Sequence, residues 1–186
     1  MKESTATFDE KADGFIPSPP GLYPAHVIGV ESREYSGSRV FNFTFKVADE
    51  VSKMTIAKMV SDGDGWFKPS GDNISGKFLA GRKFFSKGVW FTPNPPSDEK
   101  WRNRYYKDFC ENLGVNFDKS KDNDSIILLC EIEESDVMGF PCLIRVGENS
   151  YEKNGEIIRN MKVHSVFPWK DGVELNPDEL TSDVPF

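Results

Sequence analysis

Histidine and cysteine are scarce in this chain, and their scarcity removes several kinds of chemistry. The only imidazoles are His26 and His164, and the three cysteines, Cys110, Cys130 and Cys142, are widely spaced and form no CxxC pair. A zinc site needs such ligands close together, so none is expected, and the thiols read as reduced and partly buried. Nucleophilic cysteine catalysis requires a base beside the thiol, and nothing local supplies one. Long apolar runs are missing too: none approaches the roughly 18 residues of a membrane span. The opening MKESTATFDEKADG has no apolar segment after Lys2, so no secretory signal is expected and the protein is expected in the cytoplasm. There is no Gly-rich loop followed by Lys-Ser/Thr, no GxSxG and no HxxxH pair. SDGDG, from Ser61, has only the first half of a calcium loop and reads as a turn. The acid pairs Glu133 and Glu134, and Asp122 and Asp124, sit in polar turns where solvation accounts for them. No catalytic residue, metal ligand or cofactor is assigned.

Aromatic side chains, by contrast, are abundant. They make up 13% of a 186-residue chain and Phe alone contributes 15, more than one core of this size uses, so some rings are expected outside it. The length suffices for one domain that excludes water without disulfides. The net charge of -7 is unevenly spread, since five acids and no base follow Lys170. In the opposite sense, residues 77–107 carry eight cations against Asp98 and Glu99. The chain is electrically segregated, and its sum alone does not exclude a nucleic-acid partner.

The first 19 residues, ending in PSPP, are polar and aperiodic and read as an arm. LYPAHVIGVESREY and RVFNFTFKVADE flank an SGS turn, and in the second stretch Phe41, Phe43, Phe45 and Val47 alternate with Asn42, Thr44 and Lys46. That pattern predicts a β-hairpin with one buried face. VSKMTIAKMV reads as a weaker strand, with a short helix as the alternative, SDGDGWFKPSGDNISG as a Gly-rich loop, and KFLAGRKFFSKGVWFTP as extended chain again. Trp101, Tyr105, Phe109 and Leu113 recur every four residues and Gly114 follows, which predicts a helix over 98–113 with that stripe facing inward. SIILLCEIEES, GFPCLIRVGEN and MKVHSVFPW read as strands, with SYEKNGEIIRN as a polar connection. Short strands joined by turns with one helix among them predict a mainly β fold: an OB-like five-stranded Greek-key barrel with one α-helix, long loop insertions and a disordered acidic C-terminal tail. A β-sandwich with one decorating helix is the alternative. The expected division is an N-terminal arm over 1–19, an OB-like domain over 20–169, and an acidic tail over 170–186.

The strongest internal signal is the interleaving of rings and cations between Lys77 and Lys107. Unpaired bases stack on flat rings for roughly 1–3 kcal/mol each while Lys and Arg neutralise phosphates, so single-stranded nucleic acid calls for this pairing. The candidates there are Arg82, Lys83, Phe84, Phe85, Lys87, Trp90, Phe91, Arg102, Arg104, Tyr106 and Lys107. In RKFFSKGVWF a strand turns alternate side chains outward, so one of Phe84 and Phe85, and one of Trp90 and Phe91, is expected on the surface. Arg33, Tyr35 and Arg39 surround the first turn, and Arg145, Tyr151, Lys153, Arg159 and Lys162 a later one; in an OB barrel such loops flank the binding groove. A carbohydrate-binding module would use Trp90 and Trp101 but leaves the cations without a role, and a nuclease would need a carboxylate cluster holding a metal.

The chain ends Asp183-Val184-Pro185-Phe186. This tip resembles the C-terminal peptide of bacterial single-stranded DNA-binding proteins, in which acids precede an aliphatic residue, proline and a final phenylalanine. The resemblance implies that the tip docks on replication, recombination and repair enzymes such as a polymerase, helicase, primase or nuclease; a ring and carboxylate held together suit an apolar pocket rimmed by Arg or Lys. The rest departs from that family, with no Gly- and Gln-rich linker and with an arm and a long insertion over 61–96. GLYPAHVIGVESREYSG with FNFTFKV, and MGFPCLIRVGEN with MKVHSVFPW, look instead like the opening hairpin and closing strands of the compact single-stranded DNA-binding proteins of bacteriophages. That likeness implies a non-enzymatic protein without a cofactor, coating single strands in phage DNA replication, recombination or repair in the cytoplasm of an infected host. It leaves open the oligomeric state and implies no membrane contact.

Overall fold

The alternation around Phe43 builds the centre of the molecule. The structure is a computed structural model and describes residues 17–64 and 66–176; the expected arm up to residue 16, and the tail from residue 177 onward with its tip, lie outside the described residues. The chain is mainly β with one α-helix among the described residues. Strands β1 (Gly21–Tyr35) and β2 (Ser38–Val47) form the expected hairpin, with Phe41, Phe43, Phe45 and Val47 buried and the residues between them half-buried. A 3₁₀ turn (Asp49–Lys53) leads to β3 (Thr55–Ser61), β4 (Phe67–Ser75), β5 (Lys83–Phe85) and β6 (Val89–Phe91). Helix α1 (Arg104–Asn112) follows, then the short β7 (Asp118–Lys119) and β8 (Ile127–Leu128), and finally β9 (Pro141–Lys153) and β10 (Glu156–Pro168).

The main sheet has the order β10-β9-β1-β2-β5, and β6 also pairs with β2 further along. Its two ends meet, because Ser86 forms a parallel bridge with Val163 and the Lys87 amide donates to the Val163 carbonyl at 3.0 Å. A bulge between Val27 and Gly29 bends β1 where it leaves β9 and continues along β2 alone; a second lies between Val163 and Ser165 of β10. Between β5 and β6, Ser86 keeps β2 satisfied: its amide donates to the Phe43 carbonyl and its Oγ accepts from the Phe43 amide, both at 2.9 Å.

The helix closes the core. Phe109 lies 4.8 Å from Phe43, and Tyr106 lies 4.8 Å from Phe91, ring centre to ring centre. Buried Asn103, just before α1, accepts from the Thr92 amide and donates to the Thr92 carbonyl, both at 2.8 Å, a strand-like pairing made by a side chain. Tyr105 and Asn112 tie the other flank to β10, donating to the carbonyls of His164 and Val166. After the helix, the Gly114 amide donates to Glu111 and the Val115 amide to Cys110, the paired bonds of a Schellman stop. Gly114 has φ +82, and a Cβ there would collide with the Phe140 ring.

Several expectations are corrected. The segment read as a Gly-rich loop contains β4, which pairs with β3 in a separate two-stranded sheet. The insertion expected over 61–96 is narrower, since β5 and β6 within it belong to the main sheet. SYEKNGEIIRN is no connection: β9 and β10 run through it to a two-residue turn in which Asn154 (φ 54) and Gly155 (φ 81) are both left-handed. SIILLCEIEES holds only the two residues of β8. The tail does not leave the fold at residue 170: His26 Nε2 donates to the Val173 carbonyl at 2.9 Å, and the Leu175 amide donates to the Gly139 carbonyl at 3.1 Å. No helix among the described residues is long and apolar enough to cross a membrane.

Gly114→Ala combines a strained backbone with a ring clash and should destabilise by about 1–3 kcal/mol. Thermal unfolding followed by circular dichroism should show a midpoint lower by several degrees, at roughly 2–4 °C per kcal/mol.

Candidate functional site

Strand registry decides which rings face solvent. Phe84 and Phe91 are buried at 5% exposure each, while their neighbours Phe85 and Trp90 stand out at 51% and 45%. The paired register puts Phe85 beside Thr44 and Trp90 beside Val40, on the face of β2 opposite the Phe41, Phe43 and Phe45 row. Arg33 pairs with Val40 from the other side and Tyr35 with Ser38, so both share that outer face. The Tyr35 ring meets Trp90 edge-on at 5.9 Å, and Lys162 of β10 holds its Nζ 5.4 Å from the centre of the Phe85 ring. Lys46 and Lys83, opposite one another across β2 and β5, continue the same face. Lys87 lies half-buried in the link between the two exposed rings, and Tyr151 and Lys153 are exposed near the turn joining β9 to β10.

Other candidates are not brought to this face. Tyr106 is fully buried: its hydroxyl donates to the Cys130 carbonyl at 2.8 Å and accepts from the Ile132 amide at 3.0 Å, and burial pushes its phenol far above the ordinary value. The four-residue stripe therefore fails at its start, and Trp101 is 70% exposed rather than facing inward. Trp101 belongs to a 3₁₀ turn (Lys100–Asn103), whose tighter winding shifts the phase; Tyr105 is exposed as well, and the buried side is Asn103, Tyr106, Phe109, Cys110 and Leu113. Phe84 and Phe91 are core residues. Arg39 points to the inner side of its strand, where its Nε lies 3.0 Å from Glu131. The helix cations find acids one turn away: Arg102 pairs with Glu99, Arg104 with Asp108, and Lys107 with Glu111 at 2.7 Å, which raises the lysine pKa. These charges are largely neutralised within their own segment.

A second feature escaped the sequence reading. A groove of about 760 Å³ lies between the β3–β4 hairpin, the start of β5, and β10, with Trp66, Phe67, Lys68, Lys83, Arg159 and Met161 among its walls. Its only advance signal is the run WFK inside what reads as a loop. The hairpin tip is shaped by Asp62, whose Oδ1 accepts from the amides of Asp64 (2.8 Å) and Trp66 (3.0 Å). The first of these bonds leads in holding that carboxyl below the usual carboxylate range. Asp62 thus acts as a side-chain cap of this turn. Arg82, also on the groove wall, donates to the Ser18 Oγ at 2.9 Å, and burial lowers its pKa.

Among the described residues no group of His, Cys, Asp or Glu is placed to hold a metal ion. The arrangement that is present offers exposed flat rings with cations beside them. No protein-family model matches the chain, and no match was found among curated proteins.

The thiols differ sharply. Burial pushes Cys110 up to about 12 and Cys142 higher still, whereas Cys130 is exposed. Since the thiolate is the reactive form, both buried thiols stay protonated and inert at pH 8. A colorimetric disulfide reagent at that pH should titrate Cys130 alone in the native protein, and all three cysteines once guanidinium unfolds it.

Proposed function

We propose that this chain is a non-enzymatic single-stranded DNA-binding protein with an OB-type barrel. The observation that carries the reading is the exposed pair Phe85 and Trp90, standing on successive strands against β2, each with a partner suited to a nucleotide: Lys162 over the first ring and Tyr35 against the second. Bases stack on such rings whatever their identity, and the adjacent cations meet the phosphates. Topology supports the barrel assignment. Counting β5 and β6 as one interrupted third strand, β1, β2, that strand, β10 and β9 follow one another around a ring closed by the parallel bridge between Ser86 and Val163, with α1 falling in the chain between the third strand and β9. An OB barrel binds oligonucleotides on the face of its second and third strands, which here is the face of Phe85 and Trp90.

On this reading the protein coats single strands during phage DNA replication, recombination or repair. The resemblance of Asp183, Val184, Pro185 and Phe186 to the bacterial peptide supports a recruiting role for the tip toward replication and recombination enzymes.

Fluorescence anisotropy of a labelled dT oligonucleotide tests the reading. Binding should weaken steeply with salt. Phe85→Ala and Trp90→Ala should each cost about 1–3 kcal/mol of affinity while circular dichroism stays unchanged. Lys162→Ala should flatten the plot of log K against log salt by about 0.7–1 unit. Absence of binding at low salt, or affinity indifferent to both ring substitutions, would overturn the assignment.

A further inference from the structure

The β3–β4 hairpin is inserted between β2 and β5, and it overhangs the groove of about 760 Å³ without being stitched into the main sheet. We propose that this groove is the dock of the chain's own N-terminal arm: it takes Phe15 and Ile16, which lie outside the described residues, and the docked arm braces the hairpin against the barrel. Four observations lead there, and none depends on the preceding reading.

The first is attachment. Pro17, Ser18 and Pro20 are themselves part of the groove wall, so the described chain begins there and Ile16 and Phe15 are joined directly to it. That wall is held in place. Arg82 donates to the Ser18 Oγ at 2.9 Å, the Tyr23 hydroxyl donates to the Pro19 carbonyl at 2.8 Å, and the prolines of PSPP stiffen the backbone. A segment tethered at so short a range has an effective concentration of about millimolar, which favours it over any free ligand.

The second is lining chemistry. Met59, Phe84 and Met161 give an apolar floor, and Trp66 and Phe67, with ring centres 6.1 Å apart, an aromatic wall. Phe15 and Ile16 are the large apolar residues nearest that wall in the chain, and the run from Asp9 to Gly14 before them is polar apart from Ala12. The third is charge. Arg82 and Lys83 are already engaged, so the groove offers few free cations to an outside polyanion. Lys68 and Arg159 stand on its walls with Glu148, and the arm brings Asp9, Glu10 and Asp13 against Lys11, a modest match of opposite sign.

The fourth is mechanical. At the root of the hairpin Ile56 and Ile74 join the core, but a bulge separates Ala57 from Met59, and the half beyond it has no strand of the main sheet beside it. Filling the groove supplies the missing support.

Hydrogen exchange of the full-length chain, read by mass spectrometry, tests the dock. Phe15→Ala combined with Ile16→Ala should speed exchange of the β3–β4 ladder amides about ten-fold while β1, β2 and β9 keep the wild-type rate. Phe8→Ala, further from the wall, should change nothing. As a direct probe, p-benzoylphenylalanine placed at position 15 should photo-crosslink, within one chain, to the peptides that hold Met59, Trp66 or Met161. Unchanged exchange in the double variant, or crosslinks that avoid those peptides, would overturn the dock. Crosslinks joining two chains would assign the groove to the arm of a second copy and overturn it too. Should the double variant not fold, the crosslink decides alone. Neither readout involves an oligonucleotide, so the dock stands or falls separately from the preceding reading.

Discussion

The two-residue period of β2 governs the rest of the molecule. Its inward row of Phe41, Phe43, Phe45 and Val47 is fully or almost fully removed from water, so any strand laid beside it must match that parity. β5 and β6 each bring two adjacent rings to this register. Adjacent residues on a strand face opposite ways, so burying Phe84 necessarily displays Phe85, and burying Phe91 displays Trp90. The surface rings are thus a geometric consequence of the core. Their exposure leaves apolar area in water without loss of fold.

How much of this was legible in the sequence depended on where the stabilising partner lay. The first hairpin could be read because its signals are local: strict alternation on both sides of a tight turn. The β3–β4 hairpin could not, since Pro69, Gly71 and a polar run hide its extended form, and only pairing with β3 specifies it. SIILLCEIEES misled in the opposite direction. Its apolar residues suggest a ladder, yet the Tyr106 hydroxyl meets the backbone at Cys130 and Ile132 and stands in for a neighbouring strand. A side chain from a helix that satisfies two backbone groups leaves no trace in local pattern. A helix does lie within the expected 98–113, but it starts only at Arg104, and the 3₁₀ turn before it rotated the buried stripe, exchanging the roles of Trp101 and Tyr106.

Charge was the least legible property. Counting cations along residues 77–107 suggests a dense basic segment, but on α1 and the turn before it the cations meet acids three or four residues away. Exposed pairs of this kind add little stability, and they also reduce the local field. The cations that share space with exposed rings or the groove come from separate elements: Lys83 from β5, Lys68 from β4, Lys162 and Arg159 from β10. Sequence distance conceals such clusters, and only the sheet order assembles them.

The closure of the ring at Ser86 has a mechanical side. Long ladders join β1 to β2 and β9 to β10, whereas one parallel bridge and the Lys87 amide join the third strand to β10. This is the seam along which the cylinder would part first. Phe85 stands on one lip and Lys162 on the other, so a chain of nucleotides resting on both, as proposed above, would suture that seam. Occupancy and closure would then be thermodynamically linked, each favouring the other by the same free energy.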